Sequence, residues 1–280
     1  MSQYRTVIEP GTADRRYWRD LWGYRGLFVF LAWRDILVRY KQTVIGVLWS
    51  VLRPLLTLGV MAFLGWLFES SVPGNVPRLL LVGAATLPWT FFSTAFSESA
   101  NSLIANSNLL TKVYFPRLIV PASTVIVCLI DFLISFAILV VLMIGYRFVP
   151  GVQLLALPLF LLLALITALG SGLLIAALNV KYRDFRYIVP FIVQFGLYVS
   201  PVAFSSSDIL NSDRIPQAIK FLYAMNPMVG VIDGFRWCIL GDEVPIHLPG
   251  FLLSVGISLL LLVVGIRYFR NTERGFADVI

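Results

Sequence analysis

The chain of 280 residues is 59% hydrophobic and only 13% charged, and its mean hydropathy is +0.85. This composition excludes a soluble globular domain, because a soluble fold of this length does not carry so large an apolar fraction. The net charge of +7 suggests nucleic acid as a partner, but the basic residues flank apolar segments as they do in cytoplasmic loops, so we expect an integral membrane protein that binds no nucleic acid.

The first element is a helix that is predicted to lie in a membrane interface. Residues 1–23 form a polar tail, expected to be cytoplasmic, and residues 24–41 follow with apolar side chains at helical spacing and charged side chains on or near another face. This segment is predicted to pass without a loop into the apolar run 44–68, which contains Arg53 and Pro54. About 25 residues at a rise of 1.5 Å are enough to cross a hydrocarbon core of ~30 Å.

Five further apolar segments predict a single all-α membrane domain, residues 1–280, with six spans. The second span is expected to be broken by Pro88, the third to be interrupted by Asp131, and the fifth to contain Pro190 and Pro201. A broken helix of this kind usually faces protein or a water-filled cavity. A short helix is expected near residues 99–110. The five segments are residues 79–96, 118–145, 154–178, 187–204 and 248–266.

The long connection between the fifth and sixth spans is predicted to contain two short helices. Asn226 can cap a helix that begins with Pro227 and stops at Gly241. A second semi-apolar segment, residues 215–225, precedes it. We expect the pair to be re-entrant, dipping into the outer membrane interface.

The distribution of cations predicts the orientation in the membrane. If both termini are cytoplasmic, 17 of the 22 lysines and arginines lie on the inner side. Inner loops carry such an excess of positive charge, so we expect both termini to be in the cytoplasm.

The sequence contains no recognisable catalytic motif. None of the four lysines follows a glycine, so there is no phosphate-binding loop for ATP. A lone histidine, His247, excludes metal sites built from a histidine pair. We therefore predict no catalytic, cofactor-binding or metal-binding residue in this chain.

Charged residues at membrane depth invite a functional interpretation, because they cost free energy there. Asp131 lies near the middle of the third span, Glu98 at the end of the second and Arg53 within the first. A proton relay usually needs several such groups within reach of one another. We therefore favour a paired or hydrogen-bonded Asp131 inside the bundle, and its role stays open.

Aromatic residues crowd the second and fifth spans. Belts at the lipid interfaces explain most residues of this kind. Aromatic faces also suit sugar rings, because they offer apolar contact without fixed hydrogen bonds. The candidates for a sugar-lined conduit are Trp89, Phe92, Phe195, Tyr198 and Phe204.

Five motifs are spaced along the chain in order: RDILVRYKQTVIGVLWSVLRPLLT (34–57), NSNLLTKVYFPRLIVPAS (106–123), NVKYRDFRYIVPF (179–191), YVSPV (198–202) and YAMNPMVGVIDGFRW (223–237). Together they closely resemble the transmembrane subunit of ABC-2 type polysaccharide exporters. The O-antigen exporters of Gram-negative bacteria are the nearest group, and teichoic acid and capsule exporters are relatives.

The resemblance implies a homodimer in the inner membrane, bound to two copies of a separate ATPase that binds ATP and Mg, and exporting a lipid-linked polysaccharide. It implies that residues 24–41 are the interface helix, that residues 101–112 are the coupling helix, and that spans one and five line the conduit. The implied ATPase-coupling residues are Arg34, Asp35, Arg39, Asn101, Asn106, Asn108 and Lys112, and the implied outer-gate residues are Tyr223, Asn226, Pro227, Phe235 and Trp237.

Two interpretations from other classes stay open at this point. An integral membrane enzyme acting on lipid-linked sugars needs acids or a nucleophile in a large outer loop, and the outer acids here form no recognisable constellation. A proton-driven flippase needs more intramembrane charges than this chain carries. The polymer itself, its length and its lipid anchor are not encoded in any motif.

Overall fold

The structure is a computed structural model that describes residues 13–41, 44–67, 76–182, 184–210, 212 and 214–276. Its regular structure over these residues is entirely helical, which confirms the predicted all-α class. The α-helices are α1 (Ala13–Gly23), α2 (Arg25–Lys41), α3 (Val44–Leu67), α4 (Arg78–Ala105), α5 (Ser107–Lys112), α6 (Ile119–Gly145), α7 (Leu157–Lys181), α8 (Phe185–Val199), α9 (Ser206–Leu210), α10 (Gln217–Ala224), α11 (Pro227–Leu240) and α12 (Leu248–Thr272).

Among the described residues, five helices are long and apolar enough to cross a membrane: α3, α4, α6, α7 and α12. The predicted fifth span corresponds to α8, which has only 15 residues and is about 22 Å long at 1.5 Å per residue. The structure therefore does not reproduce six full spans. The helix ends at Val199, and Pro201 lies beyond it, in a turn.

The central helix of the bundle is α4, which packs against α3, α6, α7 and α11. It runs for 28 residues straight through Pro88, so the prediction that this proline breaks the second span is wrong. Pro88 is buried within this packing, and neighbouring helices of this kind make a proline tolerable inside a membrane helix.

The helices α7 and α12 approach each other closely. A side chain at Gly170 would meet the backbone of Leu262 at 2.5 Å, and one at Gly265 would meet the carbonyl oxygen of Gly170 at 2.2 Å. The hydroxyl of Thr167 also lies 2.8 Å from that of Ser258. Small residues at such a contact let two backbones pack closely where lipid gives no hydrophobic drive.

A second apolar cluster lies at the Ala105 end of α4, and we call this end of the bundle the α5 end. Leu31 of α2 is buried there with Leu103 and Leu110, and Ala176 and Phe269 join from α7 and α12. The predicted single helix over residues 99–110 is wrong, since α4 runs to Ala105 and α5 starts at Ser107. The interface helix α2 is therefore packed onto the bundle rather than standing apart from it. The predicted continuous passage from this helix into the first span falls at residues 42–43, outside the described residues.

The segment predicted to be a plain tail contains the helix α1, which is fastened to the end of α12. The hydroxyl of Tyr17 donates to Glu273 at 2.9 Å, and the guanidinium of Arg270 lies 4.5 Å from the Tyr17 ring. Burial, together with the negative charge of Glu273, raises the pKa of Tyr17. The Tyr17 hydroxyl therefore keeps its proton and acts as the donor.

The connection between α8 and α12 is helical, and its main helix has the predicted ends. The Asn226 side chain accepts a hydrogen bond from the Met228 N–H at 3.0 Å, which caps α11. Gly241 has a φ of +72° and ends the helix, a conformation that glycine adopts without strain. The small helix α9 was not predicted.

Candidate functional site

Three of the predicted ATPase-coupling residues, Arg34, Asp35 and Asn106, lie together at the α5 end of the bundle. Arg34 of α2 donates through Nε to Asp35 Oδ1 at 2.8 Å and through Nη2 to Asn106 Oδ1 at 2.9 Å. Asn106 is the residue between α4 and α5. One guanidinium therefore joins the interface helix to the start of the short helix α5.

The short helix α5 presents a polar face. Leu110 is buried against the bundle, while Asn108 and Lys112 are exposed. Asn101 lies elsewhere: it belongs to α4, and its side chain donates to the Ser97 carbonyl at 2.8 Å, within its own helix. Tyr114, which follows α5 and is 78% exposed, extends this surface and was not among the predicted residues. A large aromatic side chain in a polar connection is the one sequence signal that could have indicated it.

Arg39, also predicted to couple, directs its charge towards carboxylates of α4 and α6. Its Nη1 donates to Asp131 Oδ2 at 2.8 Å and its Nη2 to Glu98 Oε1 at 2.6 Å. The hydroxyl of Tyr40 donates to Asp131 Oδ1 at 2.5 Å. The interpretation of Asp131 as a paired residue is confirmed. We call these four side chains the Arg39 network; it fixes the end of α2 to α4 and α6.

The predicted conduit residues divide into two groups. Trp89 and Phe92 are only 4% and 8% exposed, and their rings contact each other in the core, tilted by 49° with ring centroids 5.5 Å apart. Trp89 also packs against the backbone of α8 at Gly196. Within this chain these two residues are packing residues, because neighbouring helices cover them.

The other conduit residues lie on or near α8. Phe195 and Tyr198 are each 58% exposed. Phe191, one turn before Phe195, is stacked on it with an interplanar angle of 6°. Phe204 lies after α8, with its ring 6.5 Å from that of Tyr223. The helix α8 thus carries an open aromatic stripe that a flat apolar surface can contact.

The predicted gate residues lie at the opposite end of the bundle from α5. Asn226 and Pro227 begin α11, whose residues are almost all buried, and Phe235 packs against Phe132 of α6 with ring centroids 6.1 Å apart. Trp237 is half-buried beside Phe160. The helix α11 is therefore a core element, whereas α10 is largely exposed.

Arg236 of α11 was missed as a site residue, although it is completely buried. Its guanidinium donates to three backbone carbonyls: Leu81 at 3.3 Å, Phe204 at 2.9 Å and Val202 at 3.2 Å. An arginine in the middle of an apolar helix is itself a signal of such a role. This side chain ties α11 to α4 and to the segment after α8.

Comparison with known proteins shows to which family this helical architecture belongs. A family model described as ABC-2 type transporter matches residues 26–240, from the interface helix to the end of α11. The chain belongs to the ABC-2 type transporter family. It is the membrane-embedded, multi-pass component of such a transporter rather than an enzyme.

Individual relatives of this ABC-2 chain match almost end to end. The O-antigen export system permease protein RfbA of Myxococcus xanthus is 30% identical, over 94% of this chain and 98% of the relative. The protein of the same name from Klebsiella pneumoniae is 28% identical, over 91% and 95%. The capsule polysaccharide export inner-membrane protein CtrC of Neisseria meningitidis serogroup A is 26% identical, over 87% and 91%.

Proposed function

We propose that this chain is the transmembrane subunit of an ATP-driven exporter that moves a lipid-linked, O-antigen-like polysaccharide from the cytoplasm to the periplasm. The observation that carries the proposal is the end-to-end likeness to two permeases named for O-antigen export. The chain acts as a homodimer in the inner membrane, with both termini cytoplasmic. Two copies of a separate ATPase bind ATP and Mg, and ATP hydrolysis by these subunits drives the transport.

The proposed coupling surface is the α5 end of the bundle. Its support is the hydrogen bond from Arg34 to Asn106, which links α2 to α5, together with the exposed side chains of Asn108, Lys112 and Tyr114. A push on α5 reaches α2 through Arg34. It then reaches α4 and α6 through Arg39, which contacts Glu98 and Asp131.

The proposed polymer path runs along α8. Phe195 and Tyr198 support this assignment because their rings are exposed in an aromatic stripe. Stacking against a ring face gives a sugar apolar contact without a fixed hydrogen-bonding register. Successive sugar units can therefore advance along such a stripe without a deep energy minimum.

The experiment that tests coupling is an ATPase assay on the complex in proteoliposomes. We expect Arg34→Glu and Lys112→Glu to lower substrate-stimulated ATP hydrolysis or to prevent assembly with the ATPase. Arg267→Glu is the control, since it makes the same charge change at an exposed position of α12. Unchanged transport in both test variants would remove the coupling assignment.

A second experiment tests the path separately. Tyr198→Ala removes an exposed ring and should slow export while co-purification with the ATPase stays at the wild-type level. Tyr146→Ala is a matched control, because Tyr146 is also exposed but lies beyond the end of α6. Equal export rates for both variants would argue against α8 as the path.

A capsular polysaccharide is the second candidate cargo, favoured by the likeness to CtrC. Stimulation of ATP hydrolysis by defined lipid-linked glycans distinguishes the two cargoes. An O-antigen-type glycan should stimulate the purified complex more strongly than a capsule-type glycan does.

A further inference from the structure

A small cleft lies between α10, α11 and the start of α12, at the opposite end of the bundle from α5. It is lined by Tyr223, Gly230, Asp233, His247 and Gly250, among others. Asp233 is 7% exposed and Tyr223 is 6% exposed, so both side chains are more than nine-tenths buried.

Two polar atoms in this cleft have no hydrogen-bond partner in the protein. They are Oδ1 of Asp233 and the hydroxyl oxygen of Tyr223. A buried carboxylate oxygen or hydroxyl that is left without a partner destabilises the folded protein. Both atoms line the same cleft, so a single ligand can satisfy them together.

Among the described residues no group of three or more side chains could hold a metal ion, and the charge of Arg236 also disfavours a metal cation as that ligand. The guanidinium of Arg236 is completely buried one turn along α11 from Asp233, and its positive charge acts on both Asp233 and Tyr223. A second positive charge would therefore be repelled. The ligand must be neutral, must donate a hydrogen bond to Asp233 and must accept one from Tyr223.

The other groups that face the cleft do not supply this bond. His247 accepts the Gly250 N–H through Nδ1 at 3.2 Å, and its Nε2 makes no hydrogen bond to the open atoms of Asp233 and Tyr223. Asp208 of α9 does not line the cleft; its carboxylate accepts the Ser205 N–H at 3.1 Å. A molecule from outside the protein can supply the missing hydrogen bonds.

The size of the cleft and its polar atoms suit a water molecule. The cleft has room for a water molecule, and Asp233 and Tyr223 supply the two polar partners that a buried water needs.

We propose that one buried water molecule bridges Asp233 Oδ1 and the Tyr223 hydroxyl and fastens α10 to α11. The water donates to the carboxylate oxygen and accepts from the phenol. Apart from Tyr223, the apolar side chains of α10 are mostly exposed: Ile219, Phe221 and Leu222 are 55%, 63% and 69% exposed. The bridge is consequently a principal polar attachment of this helix to the bundle.

The direct test is an experimental structure of the protein at a resolution that shows water. We expect one ordered water within hydrogen-bond distance of both atoms in the wild type, and its loss in Tyr223→Phe, which removes only the hydroxyl. An empty cleft in the wild type, or a direct hydrogen bond between the two side chains, would overturn the proposal.

A double-mutant cycle tests the bridge in solution. Tyr223→Phe and Asp233→Ala should each lower the unfolding temperature of the detergent-solubilised protein, Tyr223→Phe by roughly 2–4 °C. The double variant should lose clearly less than the sum of the two shifts, because both residues hold the same water. Additive shifts would overturn the bridge. Tyr198→Phe is the control, since it removes an exposed hydroxyl and should not change the unfolding temperature.

Discussion

The guanidinium of Arg39 and the carboxylate of Asp131 are joined at 2.8 Å, although the two residues lie 92 positions apart in the chain. Arg39 stands near the end of α2, and Asp131 stands in the middle of α6. The pair therefore clamps the interface helix to a membrane helix. Glu98 and Tyr40 complete the Arg39 network, so that the arginine meets two carboxylates and Asp131 receives two hydrogen bonds.

Removing the arginine from this network should destabilise the protein. Arg39→Gln leaves Asp131 and Glu98 without their cation, and we expect a loss of about 1–3 kcal/mol. Thermal unfolding of the purified protein in detergent measures this loss. Arg53→Gln is the control, because Arg53 is exposed on α3 and should have little effect.

A charge swap tests whether the ion pair between Arg39 and Asp131 is what stabilises the contact of α2 with α6. Arg39→Asp with Asp131→Arg restores opposite charges, although Glu98 then faces an aspartate at position 39. The double variant should therefore recover part of the stability lost in Asp131→Arg alone. If the double variant is less stable than either single variant, the ion pair is not what holds α2 to α6.

The contact of α7 with α12 should be sensitive to a single methyl group. A Cβ at position 265 would lie 2.2 Å from the Gly170 carbonyl oxygen. Gly265→Ala should therefore cost about 1–3 kcal/mol through overpacking. Gly256→Ala, on the same helix, meets no atom within 4 Å and should be neutral or slightly stabilising. Unfolding temperatures of the two variants make the comparison, and equal values would contradict the close contact.

The attachment of α1 to α12 should depend on one hydroxyl. Tyr17→Phe removes the hydrogen bond to Glu273 but keeps the ring under Arg270, whereas Tyr17→Ala removes both. We expect the rate of tryptic cleavage at Arg19 to be lowest in the wild type, higher in Tyr17→Phe and highest in Tyr17→Ala, because cleavage requires α1 to detach. Cleavage at the same rate in all three proteins would show that Tyr17 does not hold the helix.

The gate assignment makes a prediction of its own. If α10 closes the proposed path, Tyr223→Phe should increase the entry of glycerol into sealed proteoliposomes by several-fold, measured by light scattering. Phe221→Leu changes an exposed residue of the same helix and should leave the leak at the wild-type level. If glycerol enters Tyr223→Phe proteoliposomes at the wild-type rate, Tyr223 is not a gate residue. This result would not bear on the proposed water site, which the experimental structure tests.

Several local features of this protein could be predicted from the sequence. The long apolar segments that became α3, α4, α6, α7 and α12 are set by hydrophobicity and by the fixed rise of a helix. The ends of α11 follow from the short-range chemistry of Asn226, Pro227 and Gly241. Even the pairing of Asp131 was predictable, because an unpaired carboxylate at that depth is too costly.

Which residues meet was decided only by the tertiary structure. No sequence spacing indicates that Arg39 is the partner of Asp131, because that contact depends on where α2 packs along α6. Trp89 and Phe92 have the same aromatic character as Phe195 and Tyr198, yet the first two are buried and the others exposed. The side of α4 or α8 that a neighbouring helix covers determines this difference, and helix rotation is set by the packing of the whole bundle rather than by any local pattern.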